Sequence, residues 1–126
     1  MPRQVVVVGA GIAGLAAAVA LQRRSFDVTV FEERADTSSG TGISIWPNAL
    51  AALDEIGVGD AVRDAGGRVT AGAMRWRDGT WLRRPHPDRI IKALGEPLVV
   101  IQRAALTSPQ LNHHMSRSRW PVVLSE

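Results

Sequence analysis

Residues 5–32, VVVVGAGIAGLAAAVALQRRSFDVTVFE, decide the fold. The run predicts a short buried strand over Val5–Val8, a glycine turn, a helix, and a second strand over Val28–Phe31 closed by the acid Glu32. Gly9, Gly11 and Gly14 keep the G-x-G-x-x-G spacing, and each has a separate physical task. The first permits the tight turn out of the strand, the second lets a pyrophosphate approach bare backbone, and the third lets the helix pack close to the sheet. Ala18, one helical turn beyond Gly14, keeps that contact small. The opening turn of the helix offers unpaired N–H groups, with about half a positive charge, to a phosphate. Glu32 stands 18 positions past Gly14, where a carboxylate accepts bonds from both hydroxyls of an adenosine ribose. The spacing alone is weak evidence. After a strand, opening an apolar helix and answered by an acid at the next strand end, it points to dinucleotide binding.

Two plainer readings compete with this one. Val5 to Leu21 carries no charge and follows Arg3, as a signal-peptide core or membrane span would. The glycine cluster breaks such a helix early, however, and a strand pattern ending in Glu32 follows at once. The second is a βαβ unit whose glycines serve packing alone; the acid at the strand end argues against it.

The 126 residues suffice for one modest core, and a hydrophobic content of 45% suits a globular domain. That length is short for a complete dinucleotide-binding enzyme, which also needs a substrate domain. With no cysteine, a disulfide framework, a thiol nucleophile and a cysteine metal site are excluded, in keeping with a cytoplasmic protein. The net charge of +3 is unevenly spread: residues 1–67 hold five arginines against eight acids, and residues 68–102 hold seven basic residues against three acids. Nucleic-acid binding asks for a continuous basic face, and the acidic first half argues against it.

Beyond Glu32 the small, polar stretch from Arg34 to Gly42 reads as a surface loop. Gly42–Trp46 alternates like a strand, and Pro47 suits the first turn of a helix striped by Leu50, Leu53 and Ile56 and stopped by Gly57. Gly59–Ala65 predicts a second short helix, ended by Gly66 and Gly67. Met74–Arg77 and Thr80–Arg83 flank Asp78-Gly79, a two-residue hairpin signal that sets Arg77 opposite Thr80 and Trp76 opposite Trp81. Alternation then places Met74, Trp76 and Trp81 on a packed face with Arg75 and Arg77 in water, in preference to a single-strand nucleic-acid stacking surface. Pro85–Gly95 reads as a loop, and His86, alone between two prolines, is no metal ligand. Leu98–Ile101 predicts an apolar strand and Arg103–Leu106 a brief helix that Pro109 interrupts. Val122–Leu124 is a candidate last strand. The adjacent His113 and His114 point to different sides of any element and read as exposed.

Four pieces of the chain resemble the N-terminal third of the class A flavoprotein monooxygenases, the family typified by para-hydroxybenzoate hydroxylase: GAGIAGLAAAVAL (9–21), VFEER (30–34), GTGISIWPNALAALDEIGVGDAV (40–62) and VIQRAAL (100–106). The third is the most telling, a glycine-rich entry and short strand followed by Trp-Pro-Asn-Ala opening a helix. The resemblance implies an α/β fold: a Rossmann-like FAD-binding βαβ with the start of an antiparallel substrate-domain sheet, incomplete. Its divisions would be residues 1–67 for the first part of the FAD-binding domain, 68–99 for the start of the substrate-domain sheet, and 100–126 for a return to the FAD-binding domain with a divergent tail.

By position, the resemblance implies FAD rather than a nicotinamide at Gly9, Gly11 and Gly14, with backbone of Gly11, Ile12 and Ala13 facing the pyrophosphate. It implies Glu32 on the adenosine ribose, Glu33 exposed or on the adenine side, and Arg103, from the family's Arg-x-x-Leu motif, on a phosphate or ribose of the cofactor. In the implied reaction NAD(P)H reduces the flavin and O2 supplies the oxygen atom that hydroxylates a small, aromatic substrate. No catalytic side chain and no metal ligand is expected in this chain, because the cofactor carries the chemistry. Two later family motifs, an Asp-Gly stretch and a Gly-Asp-Ala segment over the flavin, have no counterpart; Gly59-Asp60-Ala61 lies too early and Asp78-Gly79 is the hairpin turn.

The expectation is a truncated copy, with a reading-frame change near Thr107, that binds FAD weakly and hydroxylates nothing by itself. It would leave the faces of Val5–Val8 and Leu98–Ile101 short of neighbours. Neither nucleic acid nor membrane is an expected partner; a homo-oligomer or a complementary chain is. The alternatives are a non-catalytic FAD-binding remnant or interaction module, and a fragment of a nicotinamide-dependent dehydrogenase.

Overall fold

A computed structural model describes residues 3–34, 40–70, 72–84, 86–108 and 122–124. The quoted run folds as its pattern predicts: strand β1 (Gln4–Val8), helix α1 (Ile12–Gln22) and strand β2 (Asp27–Glu32). The strands are parallel, in a register that sets Val5 beside Val28 and Val7 beside Val30. This face takes α1. Leu15 and Ala18 of the helix close over Val28, Val30 and Ala10, all buried, with Val7, Leu21 and Phe26 packed around them. The helix ends at a left-handed residue, Ser25 (φ 63°), where the Phe26 N–H donates back to the Leu21 carbonyl at 3.2 Å and turns the chain into β2. A third parallel strand, β8 (Val122–Leu124), pairs with the other edge of β2, giving the order β1-β2-β8. The candidate last strand thus joins the first sheet.

The opposite face of this sheet is uncovered by the described residues. Val6 is 60% and Val8 85% exposed, and Val8 pairs in register with the exposed Phe31. The shortage of neighbours expected for Val5–Val8 therefore falls on alternate residues. On Leu98–Ile101 it is smaller: Val99 and Ile101 are buried and Val100 is exposed.

A second sheet is antiparallel. Strand β7 (Leu98–Gln102) lies between β3 (Gly42–Ile45) and β4 (Gly67–Val69), with Ile43 opposite Ile101 and Ile45 opposite Val99. Its inner face packs on helices α2 (Pro47–Glu55) and α3 (Gly59–Ala65) through Ile45, Leu50, Val62, Val99 and Ile101. Pro47 occupies the first turn of α2, as its missing N–H predicts. The strand β4 is a surprise, since Gly66-Gly67 reads as a simple helix stop. Gly66 does end α3, accepting an extended conformation (φ −105°, ψ 170°), and the chain continues straight into pairing with β7.

Two expectations are corrected. Pro85–Gly95 is not a loop throughout: Pro87–Leu94 forms helix α4. Pro87 starts it where no N–H is needed, Asp88 and Lys92 sit at the ends that suit their charges, and Gly95 (φ 87°) stops it with its N–H on the Ile91 carbonyl at 2.7 Å. Pro87, which suggested a loop, marks a helix start.

The hairpin of β5 (Met74–Arg75) and β6 (Trp81–Arg83) exists, but Trp76 does not face Trp81, nor Arg77 Thr80. The Trp76 N–H donates to the Thr80 carbonyl at 2.8 Å, and the Gly79 N–H to the Trp76 carbonyl at 2.9 Å, so the loop has the three residues Arg77, Asp78 and Gly79 and Arg75 pairs with Trp81. Gly79 alone is left-handed there (φ 89°), and the Asp78 Oδ1 accepts the Thr80 N–H at 2.9 Å. Together these favour the three-residue turn with a bulge over the two-residue turn, whose favoured forms need a left-handed first residue, which Asp78 is not. Nor is the aromatic face packed. Met74, Trp76, Trp81 and Leu82 are exposed, and the Arg75 guanidinium, expected in water, lies 3.6 Å over the Trp81 ring.

Candidate functional site

The glycine turn between β1 and α1 is held from two directions. Gly9 is left-handed (φ 98°), a conformation that only glycine adopts freely. Its N–H donates to the Phe31 carbonyl at 2.6 Å. From the other side, α1 presses on the turn: a side-chain carbon on Gly14 would collide with the Gly9 carbonyl oxygen. The third glycine thus has a steric reason that involves no ligand. Gly11 differs, since a carbon built on it meets nothing within 4 Å. Gly11 caps α1 with no side-chain hydrogen bond, and the Leu15 N–H is satisfied by the Gly11 carbonyl at 2.9 Å. The N–H groups of Ile12, Ala13 and Gly14 belong to the first turn, which has no intrahelical acceptor for them. Backbone at Gly11 therefore borders open space, beside the helix-end donors of Ile12 and Ala13.

Glu32 closes the other end of the site. Its Oε2 accepts the Ala10 N–H at 2.6 Å and its Oε1 the Arg34 N–H at 3.0 Å. Bonds from the Arg34 and Ala10 N–H groups favour the ionised form and hold this carboxyl below the ordinary 4.5. Glu33 is exposed, with a loose pairing to Arg34 at 4.0 Å. Arg103 belongs to the second sheet. It opens the one-turn helix α5 (Arg103–Leu106), its N–H donates to the Thr41 carbonyl at 3.3 Å, and its stem lies across Gly40, where an added carbon would sit 3.1 Å from its Cβ and Cδ. The structure thus groups Gly9, Gly11, Ile12, Ala13, Gly14 and Glu32 around one turn, and sets Arg103 on the chain entering β3.

Two surface clefts lie elsewhere. One of about 590 Å³ runs between the start of α2 and the end of α4, lined by Trp46, Pro47, Ala51 and Leu94. The other, about 450 Å³, is lined by Asp54, Gly57, Gly59, Asp60 and Arg63. Arg63 is a residue that sequence reasoning passed over. Its guanidinium holds Asp54 through two bonds of 2.6 and 2.8 Å and Glu96 through two of 2.9 Å, and reaches Asp60 at 3.5 Å. Only the Asp60 contact, three residues away on one helix, was readable from spacing. Among the described residues, no three His, Cys, Asp or Glu side chains are placed to hold a metal ion, and no helix is long and apolar enough to cross a membrane.

Residues 7–44 match the family model of an NAD(P)-binding Rossmann-like domain, which is the βαβ opening and the chain into β3. The 3-hydroxybenzoate 6-hydroxylase 1 of Aquipseudomonas alcaligenes is 35% identical over 109 residues, 82% of this chain and 27% of that protein. The 3-amino-4-hydroxybenzoate 2-monooxygenase of Streptomyces cremeus is 38% identical over 106 residues, again 82% of this chain and 27% of the relative. Among solved structures, a variant of Klebsiella pneumoniae HpxO complexed with FAD is 30% identical, with a TM-score of 0.73 over 91% of this chain and 29% of that one. The chain spans less than a third of the length of these relatives. In sequence and in fold it corresponds to the amino-terminal, Rossmann-type part of the FAD-dependent aromatic hydroxylases.

Proposed function

We propose that the chain is the FAD-binding portion of a flavoprotein monooxygenase that uses NAD(P)H and O2 to hydroxylate a small aromatic substrate. The observation that carries this reading is the glycine turn, with open backbone at Gly11 and the first turn of α1 on one side and the ionised Glu32 on the other. Those groups fit the adenosine diphosphate half of FAD: helix-end N–H groups for the pyrophosphate and a carboxylate for the ribose. Arg103, beside Gly40 and Thr41, adds a guanidinium suited to a phosphate or ribose oxygen. Bound FAD would supply the redox and oxygen-transfer chemistry. The residues of this chain bind and orient it and contribute no acid, base or nucleophile.

Titration of the 126-residue chain with FAD, followed by flavin fluorescence and gel filtration, tests the reading. The expected result is weak binding, abolished by Gly11→Val and weakened by Arg103→Ala, without NAD(P)H oxidation. Tighter binding of NAD than of FAD would favour the dehydrogenase fragment instead. A second reading, a module completed by a complementary chain or another copy, is favoured by the open face of Val6, Val8 and Phe31. It predicts no flavin binding until that partner is added.

A further inference from the structure

The β5–β6 hairpin buries none of its residues. Every position from Gly72 to Arg84 is exposed, Met74, Trp76, Trp81 and Leu82 among them. A two-stranded hairpin alone in water is marginal at best, and Trp, Met and Arg are the residue types enriched where protein surfaces meet. The stretch carries four arginines against one acid, a net charge of +3. Arg75 lies over the Trp81 ring. Among the described residues, no carboxylate comes within ion-pair reach of Arg77, Arg83 or Arg84.

The opposite charge sits on α2 and α3. Pro47–Ala65 carries Asp54, Glu55, Asp60 and Asp64 against Arg63 alone, a net charge of −3. Glu55, Asp60 and Asp64 are exposed, Asp60 fully. Asp60 rims the smaller of the two clefts, where Gly57 and Gly59 leave room beside it. That cleft adjoins the apolar one at the Arg63–Glu96 pair: Arg63 lines the first, and Glu96, with Trp46 and Leu94, lines the second. One suits a guanidinium and the other an indole, the two side chains that stand next to each other at Trp76 and Arg77.

We infer that β5–β6 is a self-association element: the hairpin of one copy docks on the α2–α3 corner of a second, with Arg77 at Asp60 and Trp76 in the cleft of Trp46 and Leu94. Charge selects this occupant over hairpin-on-hairpin pairing, which would set +3 against +3. A nucleic acid or an anionic lipid would match the hairpin but would leave the acidic corner and its two clefts unanswered. Each copy carries both surfaces, so the contact made reciprocally closes a twofold dimer. It uses neither the glycine turn nor the open face of Val6, Val8 and Phe31, and it stands whatever the nucleotide site binds.

Sedimentation velocity of the 126-residue chain over a range of concentrations tests this. A dimer is expected in about 0.01 M salt and a monomer in about 1 M, because the reach of a charge falls from about 30 Å to about 3 Å between them. Arg77→Glu and Asp60→Arg, both at exposed positions, should fold as the parent does by circular dichroism and each weaken the dimer about tenfold or more. Mixed in equal amounts, the two variants should associate again, because each supplies the charge that the other has lost. Failure of the mixture to dimerise where the parent does overturns the inference. So does a parent chain that stays monomeric, whether or not it then binds phosphatidylserine vesicles or single-stranded DNA. A dimer that persists in high salt and in both variants also overturns it, and assigns the contact to Val6, Val8 and Phe31 instead.

Discussion

The two larger sheets are joined to their helices by different means. In the parallel unit α1 packs on the strands through Leu15 and Ala18, and at Gly14 it comes so close that the helix abuts the Gly9 carbonyl. In the antiparallel unit the helices stand off on larger side chains, Leu50 and Val62 against Val99 and Ile101, and Arg63 ties α2, α3 and the chain before β7 together through Asp54 and Glu96. The first arrangement leaves backbone for the proposed nucleotide site. The second spends its polar groups on one another. A phosphate site made of N–H groups needs such an approach at its first turn, because a side chain at position 14 would lift the helix from the turn.

The sharpest way to break this contrast is Gly14→Ala. The added carbon meets the Gly9 carbonyl, which is backbone and cannot swing aside. A loss of about 3 kcal/mol in urea unfolding is expected, together with loss of FAD binding. A change below about 0.5 kcal/mol would mean that the helix does not rest on the turn.

Arg63→Leu asks the matching question of the other unit. Much of the ion-pair network is open to water, so its removal is expected to cost only about 1 kcal/mol at neutral pH in low salt, and nucleotide binding should be unaffected. Its pH signature is more specific. Arg63 holds the Asp54 and Glu96 carboxyls below their ordinary 3.8 and 4.5. A carboxyl lowered in the folded state stabilises above its unfolded pKa and loses that contribution as pH falls through the folded one. The parent chain should therefore lose stability as pH drops below about 4.5, and Arg63→Leu should flatten that decline. Parallel acid titrations of the two proteins would show this network to be idle. Part of the slope must survive in the variant, since Glu32 and Asp78 are lowered independently by backbone N–H bonds.

Gly40→Ala tests the region where the antiparallel unit meets the proposed cofactor. An added carbon lies 3.1 Å from two atoms of the Arg103 stem, close enough to shift a flexible side chain by a few tenths of an ångström. Folding should be little changed, whereas FAD affinity should fall by about threefold. Arg103→Ala combined with Gly40→Ala should be no worse than Arg103→Ala alone. Additive losses would separate Gly40 from Arg103.

How far each unit was legible follows the same division. The βαβ opening of the parallel unit is local: strand, turn, helix and acid lie within 5–32, and their spacing carries its topology and the proposed binding groups, whereas the partner strand β8 lies far along the chain. In the antiparallel unit the central strand β7 lies more than fifty residues from its partner β3, so neither the pairing nor β4 follows from local pattern. Arg63 and Glu96 are 33 residues apart, and nothing periodic connects them. The start of α4 was legible in principle, since Pro87-Asp88 and Gly95 are helix punctuation. Two flanking prolines obscured it. The Glu32–Ala10 bond was not foretold by spacing, because the motif places a carboxylate at the strand end without saying where its oxygens point.

The β5–β6 hairpin belongs to neither arrangement and offers the smallest effect. It is organised by its own bonds: Arg75 over Trp81, the Asp78 carboxylate on the Thr80 N–H, and Gly79 in the left-handed turn. An exposed cation over an indole is worth about 0.5 kcal/mol. Because Met74, Trp76 and Leu82 are exposed rather than packed on either core, that energy should be felt only within the hairpin. Arg75→Ala is accordingly expected to leave the urea midpoint unchanged while altering tryptophan fluorescence and speeding amide exchange at Trp76 and Gly79 by no more than about threefold. A global loss of 1 kcal/mol or more would mean that the ring of Trp81 is held against one of the two sheets, and that the hairpin must be counted with that sheet.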